Sequence, residues 1–186
     1  MSAHSKEVIE QFCKLCDWLL QSWQMRKFLF DENPDLKELQ SPTHQHFFFR
    51  LNIILQEYWL HQLAKLHDPA VQSGQINLSI RYVVDYGCWD EAIKSQLVEL
   101  ESQMAVLAKS IKDARNKILS HNDLAIILES KMLGEFDAGE DQKYFDCLCK
   151  FASIVREAVV GDLFLYDNLV KNDVQVFMHT FMGGKT

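Results

Sequence analysis

The sequence predicts an all-α fold, a multi-helix bundle arranged around one long central helix. Three observations predict it. The chain holds only 7 Gly and 3 Pro in 186 residues, too few punctuators for a turn-rich β fold. Apolar residues recur at helical spacing over several segments of about twenty residues. One of those segments, Ile93 to Ile118, steps by alternating fours and threes as a heptad seam does. A hydrophobic fraction of 48%, a charged fraction of 24%, 4 Trp and 12 Phe suit one globular domain with a sizeable core. That domain is expected over 1–182, with 183–186 as a disordered tail.

The first helix is expected from Lys6 to Phe30, where Ile9, Phe12, Cys16, Leu19, Leu20, Trp23 and Phe28 keep a near-helical period. Asp31 to Pro34 reads as a break. The second helix is expected from His44 to His67, with Phe48, Leu51, Leu55, Tyr58, Trp59, Leu63 and Leu66 on its apolar face. Asp68-Pro69 stops it, because proline disfavours the helical conformation of the residue before it. From Gln75 to Tyr86, alternating Ile76, Leu78, Ile80, Tyr82, Val84 and Tyr86 look like a strand. With no second strand of similar quality to satisfy its backbone, a short helix opened by Asn77 and closed by Gly87 is the better reading.

The central helix is expected to open at Asp90 and Glu91, whose charges suit a helix N-terminus. Its seam is Ile93, Leu97, Leu100, Met104, Leu107, Ile111, Ala114 and Ile118, with Val98, Val106 and Leu119 widening the apolar face. The flanking positions lack matched opposite charges, which favours bundle packing over a free two-stranded coiled coil. Ser120 to Asp123 reads as its end. A short helical segment is expected over Asp123 to Leu133 and an exposed loop over Gly134 to Asp141. Helices are then expected over Gln142 to Val160 and Asp162 to Phe181, divided by Gly161. Leu163, Tyr166, Leu169, Val174, Phe177 and Phe181 support the last.

A formal net charge of -7 argues against a protein that coats nucleic acid through bulk positive charge, and leaves room for a local phosphate site. Five cysteines, an odd number, with no apparent signal peptide and no apolar run long enough to span a bilayer, fit a cytoplasmic protein without a membrane partner. Cys13-x-x-Cys16 has metal-like spacing but sits within a helical apolar pattern, and Cys147 and Cys149 point to different helix faces, so all four read as free thiols. His44 and His46 could join His61 and His67 around a metal, yet no carboxylate–histidine pattern supports a catalytic metal, and none is expected. No cofactor is expected either, as neither a glycine-rich phosphate loop nor a nucleophile elbow occurs. The aromatics Phe47, Phe48, Phe49, Tyr58 and Trp59 could stack bases, but core packing is the simpler reading on a regular helix.

The segment that carries chemistry is Arg115-Asn116-Lys117-Ile118-Leu119-Ser120-His121. Arginine presents a planar fork of donors to phosphate, and histidine moves protons near neutral pH. The competing structural reading is that Lys109, Lys112, Arg115, Lys117 and His121 complement the dipole of a helix C-terminus. The seam, however, carries Ala114 and Ile118 on to His121 as its next inward position, with Arg115 beside it.

Arg115-Asn116 followed by His121 resembles the signature of the HEPN superfamily (higher eukaryotes and prokaryotes nucleotide-binding). There, an arginine and a polar residue precede a histidine after a gap of four to six residues. Ala114 to Asp123 and Glu57-Tyr58-Trp59 to Leu66-His67-Asp68-Pro69 are most similar to the abortive-infection U-type branch. The resemblance implies a small helical bundle that forms a homodimer around the motif helix. For many members it also implies metal-independent cleavage of RNA, used in antiviral defence or in a toxin–antitoxin pair with a neutralising antitoxin or regulatory partner. Other members are inactive or only bind. A related toxin subgroup carries a tyrosine two residues beyond the histidine that accepts a nucleotide modification. Asp123 occupies that place here.

On an ideal helix Arg115 and His121 stand roughly 9 Å apart along the axis and about 120° apart around it, so a shared cleft between two subunits suits them better than one protomer does. The resemblance makes Arg115, Asn116 and His121 the catalytic residues, acting on an RNA substrate to give a 2′,3′-cyclic phosphate and a 5′-hydroxyl. Lys117 is a substrate-binding candidate, although a solvated lysine at a helix end is the better explanation of it. The alternative is a non-catalytic helical module that binds RNA, a nucleotide or a protein, and a third reading is a helical interaction protein whose motif is coincidental.

Overall fold

The computed structural model describes residues 5–109, 111, 136, 139–164, 166 and 169–183. These form a mainly helical protein, as the sequence predicts, with one two-stranded sheet among the described residues. The elements are α1 (Lys6–Arg26), a π-helical turn (Lys27–Asp31), α2 (Leu36–Leu39), α3 (Gln45–Leu66), β1 (Val71–Gln72), β2 (Gln75–Ile76), α4 (Ile80–Tyr86) and α5 (Glu91–Leu107). Then follow α6 (Glu140–Val160) and α7 (Val170–Phe181). The chain divides into two compact units. One comprises Met1–Cys16 and Leu60–Leu165, the other Asp17–Trp59 and Tyr166–Thr186.

In the first unit, α6 shows most clearly why these residues form helices. Tyr144, Phe145, Leu148, Phe151, Ala152 and Val155 are all buried, and their spacing of one, three, three, one and three is a single stripe of a 3.6-residue helix. Phe12 of α1 packs on Phe151 with ring centroids 5.7 Å apart. Leu60, Leu63, Ala64 and Leu66 from the end of α3 join this core. Gly161 ends α6 with φ 81, and its N–H donates to the carbonyls of Arg156 and Glu157. That left-handed conformation is inexpensive for glycine, and the helix stops where the sequence predicts.

The segment after α3 differs from expectation. Val71↔Ile76 and Gln72↔Gln75 pair as a small antiparallel hairpin. Its two-residue turn, Ser73-Gly74, has φ of 52 and 79, the double positive φ that tight hairpins favour. Gln75–Ile76 is therefore a strand, paired with a partner too short to register as a pattern. The helix follows it, opened by Ser79 rather than Asn77. Ser79 accepts from the Tyr82 N–H, while Asn77 donates through Nδ2 to the Pro69 carbonyl at 2.8 Å. Gly87 closes it, as expected.

In the second unit, α1 passes into a π-helical turn in place of a regular helix to Phe30. The Glu32 N–H donates to the Lys27 carbonyl at 2.8 Å. The wider turn stacks residues five apart, so Arg26 pairs with Asp31 at 2.6 Å and Lys27 with Glu32 at 3.3 Å. The turn buries Leu29 and Phe30 in a cluster with Leu39, Phe48, Val174 and Met178. Trp18 of α1 donates through Nε1 to the Tyr58 hydroxyl of α3 at 2.7 Å. The last helix starts at Val170, eight residues later than the expected Asp162. Asp162 instead accepts two bonds from Arg156, at 2.7 and 3.1 Å. Leu163 and Leu169 are exposed and outside α7, while Val170, Val174 and Met178 form its buried face.

Candidate functional site

The helix α5 precedes the motif in the chain. Asp90 caps it by accepting from the Ile93 N–H at 2.8 Å, which satisfies a backbone donor that the helix cannot. Leu97, Met104, Ala108 and Ile111 are each 0% exposed, so these positions face inward. Ile93, Leu100 and Leu107 are half-buried. Ala108, expected on a flank, belongs inside; Val98 and Val106, expected to widen the apolar face, are 44% and 73% exposed. The regular helix ends at Leu107, and Ala108 keeps helical-region backbone angles of φ -82 and ψ 0. Arg115, Asn116, Lys117 and His121 lie outside the described residues, as do Ala114, Ile118, Leu119 and Asp123.

α5 packs against α6 and α4. Between α5 and α6 run two adjoining surface grooves. One, of about 650 Å³, is lined by Ser95, Glu99, Leu100, Cys149, Lys150 and Ile154 among others. The next, of about 520 Å³, reaches Gln103, Val106, Lys143, Asp146 and Cys147. Acids and lysines alternate there, so neither groove offers the bulk positive field that would hold RNA alone. The Cys147 thiol donates to Gln103 Oε1 at 3.4 Å, and burial pushes its pKa up.

The described arginines are mostly committed. Arg26 pairs with Asp31, Arg156 with Asp162, and Arg81 with Asp85 at 2.7 Å and Glu101 at 3.2 Å. The bond to Glu101 raises Arg81 further above its usual value. Arg50 alone among the described arginines makes no ion pair. The described histidines are used differently. His44 packs edge-on to Phe181 at 4.9 Å, and His67 Nε2 shares a hydrogen bond of 2.9 Å with the Tyr144 hydroxyl. Tyr144 is fully buried, and desolvation holds its pKa well above the usual tyrosine range. Nothing in the sequence marked this pair, since Tyr144 reads as one more apolar-face residue of α6.

Among the described residues no three His, Cys, Asp or Glu side chains gather in a metal-holding array. Cys13 and Cys16 are buried and form no disulfide, and desolvation raises Cys13 to about 11. A protonated thiol is a poor metal ligand. Of the aromatics expected in the core, Phe48 and Trp59 are buried, whereas Phe47, Phe49 and Tyr58 are exposed. Among the described residues no helix is long and apolar enough to cross a membrane.

No curated protein and no solved structure matches the chain. The HEPN_AbiU2 family model, described as AbiU2, matches residues 2–177. That match spans nearly all of the helical architecture and includes the Arg115 to His121 segment, and the chain belongs to the AbiU2 branch of the HEPN superfamily.

Proposed function

We propose that this chain is a metal-independent endoribonuclease of the HEPN type that serves antiviral defence or growth arrest. The observation that carries the reading is the family match over residues 2–177, with the arginine–polar–histidine signature at Arg115, Asn116 and His121 inside it. The buried face of α5, formed by Leu97 and Met104, anchors the helix that precedes that signature in the chain. In the reaction, the 2′-oxygen of one nucleotide attacks its own 3′-phosphorus while the bond to the next 5′-oxygen breaks. One His121 imidazole takes the 2′-hydroxyl proton, and the second copy, in a homodimer, gives a proton to the leaving 5′-oxygen. Arg115 stabilises negative charge on the phosphoryl oxygens. Asn116 orients the imidazole or the phosphate, and Lys117 adds positive potential at the substrate. A neutralising antitoxin or regulatory partner fits this activity, as does a cytoplasmic location.

The second reading is a non-catalytic binding module of the same family, which the net charge of -7 favours. Purified protein incubated with RNA in the presence of a chelator, beside the His121→Ala and Arg115→Ala variants, separates the two. The enzyme reading expects cleavage by the unaltered protein alone. Cleavage abolished by the chelator, or unchanged in both variants, contradicts it.

A further inference from the structure

In the second compact unit, the outward side of α3 is apolar where a solvated helix face is polar. Phe47, Ile54 and Tyr58 follow at intervals of seven and four residues, with Ile53 beside them, and all four are exposed, Phe47 by 65% and Ile54 by 60%. At the helical period they keep within about 140° of the surface. Phe48 and Trp59, on the opposite side, are the buried ones. Trp18 of α1, also exposed, donates to the Tyr58 hydroxyl at 2.7 Å and fixes that ring. A contiguous exposed apolar stripe of this kind marks a contact with another molecule.

Two charges stand within the stripe, Arg50 and Glu57. Both are exposed, and neither makes an ion pair among the described residues. Seven residues apart, about 10 Å along the axis, they lie beyond the three- and four-residue spacings at which side chains of one helix pair. Both are equally far from the point between Ile53 and Ile54. A half-turn about an axis through that point therefore exchanges their positions. An identical stripe running antiparallel offers a carboxylate to each guanidinium and sets isoleucine against isoleucine at the centre. A lipid surface would leave Glu57 without a counter-charge, so the charge pattern selects a second copy of this chain.

We propose that the exposed stripe of α3 packs antiparallel on the same stripe of a second copy, so that Arg50 of each chain meets Glu57 of the partner subunit. This contact is separate from the pairing around the Arg115 to His121 segment and does not depend on it. Sedimentation equilibrium of the full-length protein across micromolar concentrations measures the association. Ile54→Asp is expected to weaken one association step by about tenfold or more, since a two-fold contact feels each substitution twice. Arg50→Glu and Glu57→Arg are each expected to weaken the same step, because each sets like charges opposite one another. The double variant Arg50→Glu/Glu57→Arg is expected to restore it. All three positions are exposed, and rescue by the double variant cannot come from a change in folding. A cross-link locates the contact. In a Cys88→Ala background, Ile54→Cys is expected to give a disulfide-linked dimer on mild oxidation, and Phe49→Cys, exposed but off the stripe, is expected to give none. Association equal in the unaltered chain and all variants, a double variant no better than the single ones, or equal cross-linking at both positions overturns the proposal. So does a chain that stays unassociated through α3 while floating with phosphatidylcholine–phosphatidylglycerol vesicles, which would assign the stripe to a lipid surface.

Discussion

Substituting the His67–Tyr144 pair gives unequal costs that follow from burial alone. Tyr144 is 0% exposed and His67 is half-buried at the end of α3, with 2.9 Å between Nε2 and the hydroxyl. Tyr144→Phe removes the buried hydroxyl and leaves an imidazole that water can reach, so the loss is that of one net hydrogen bond, about 1 kcal/mol. His67→Ala instead strands a hydroxyl in a core where it finds no other partner, a penalty of about 1–3 kcal/mol before lost packing against the tyrosine ring is added. The double variant no longer has a hydroxyl to strand. Its destabilisation should fall short of the sum of the single changes by about 1 kcal/mol or more. Urea unfolding followed by far-UV circular dichroism, with the slopes compared to check that the transition is unchanged, measures all three. Tyr144→Phe costing as much as His67→Ala, or strict additivity, refutes the reasoning.

Other expectations follow from the same structure. Leu97→Ala, at a fully buried seam position, should destabilise by about 2–5 kcal/mol, whereas Val106→Ala, at 73% exposure, should stay within about 0.5 kcal/mol in the same denaturant assay. Cys88, the exposed thiol, should react with iodoacetamide at pH 8 while Cys13 and Cys16, both buried, are spared until the chain unfolds. Burial raises Cys13 from 9.0 to about 11, so the folded state holds a proton that the unfolded state gives up across that interval. Stability should therefore decline as pH rises from 9 to 11, by up to about 2.7 kcal/mol from this group. Cys13→Ala should flatten that slope, and an unchanged slope counts against the assignment. A Cβ at Gly87 would collide with the Trp89 indole and the Val83 carbonyl, which are joined by a 2.9 Å hydrogen bond. Gly87→Ala should cost about 1–3 kcal/mol and move the tryptophan emission, and unaltered emission would show that the indole is not held there.

What the sequence made legible was the set of long helices, because burial on one face forces a 3.6-residue recurrence wherever a helix is long. The buried positions Leu97 and Met104 of α5 and the stripe of α6 are such cases. Shorter or local devices left no periodic trace. Two-residue strands around Ser73-Gly74 are too brief for alternation to show, and the π turn changes which residues stack without changing composition. Phe47-Phe48-Phe49 spans about 200° of helix surface, so one inward ring forces the others outward, and Phe48 is the buried one. The start of α7 was misplaced because Leu163, Tyr166 and Leu169 satisfy a helical spacing, while the clamp between Arg156 and Asp162 holds the chain just after α6 in a different course. The Arg115, Asn116 and His121 segment was singled out by its place on the seam and its resemblance to the HEPN signature, and the family match over residues 2–177 includes it.

The central claim is that two copies of this chain bring arginine and histidine onto one RNA linkage. Incubation with an internally labelled RNA and a chelator, resolved for end chemistry, tests it most directly. The account expects fragments bearing 2′,3′-cyclic phosphate and 5′-hydroxyl ends, absent with His121→Ala and with Arg115→Ala. Intact RNA with the unaltered protein, or the same fragments from either variant, would contradict it.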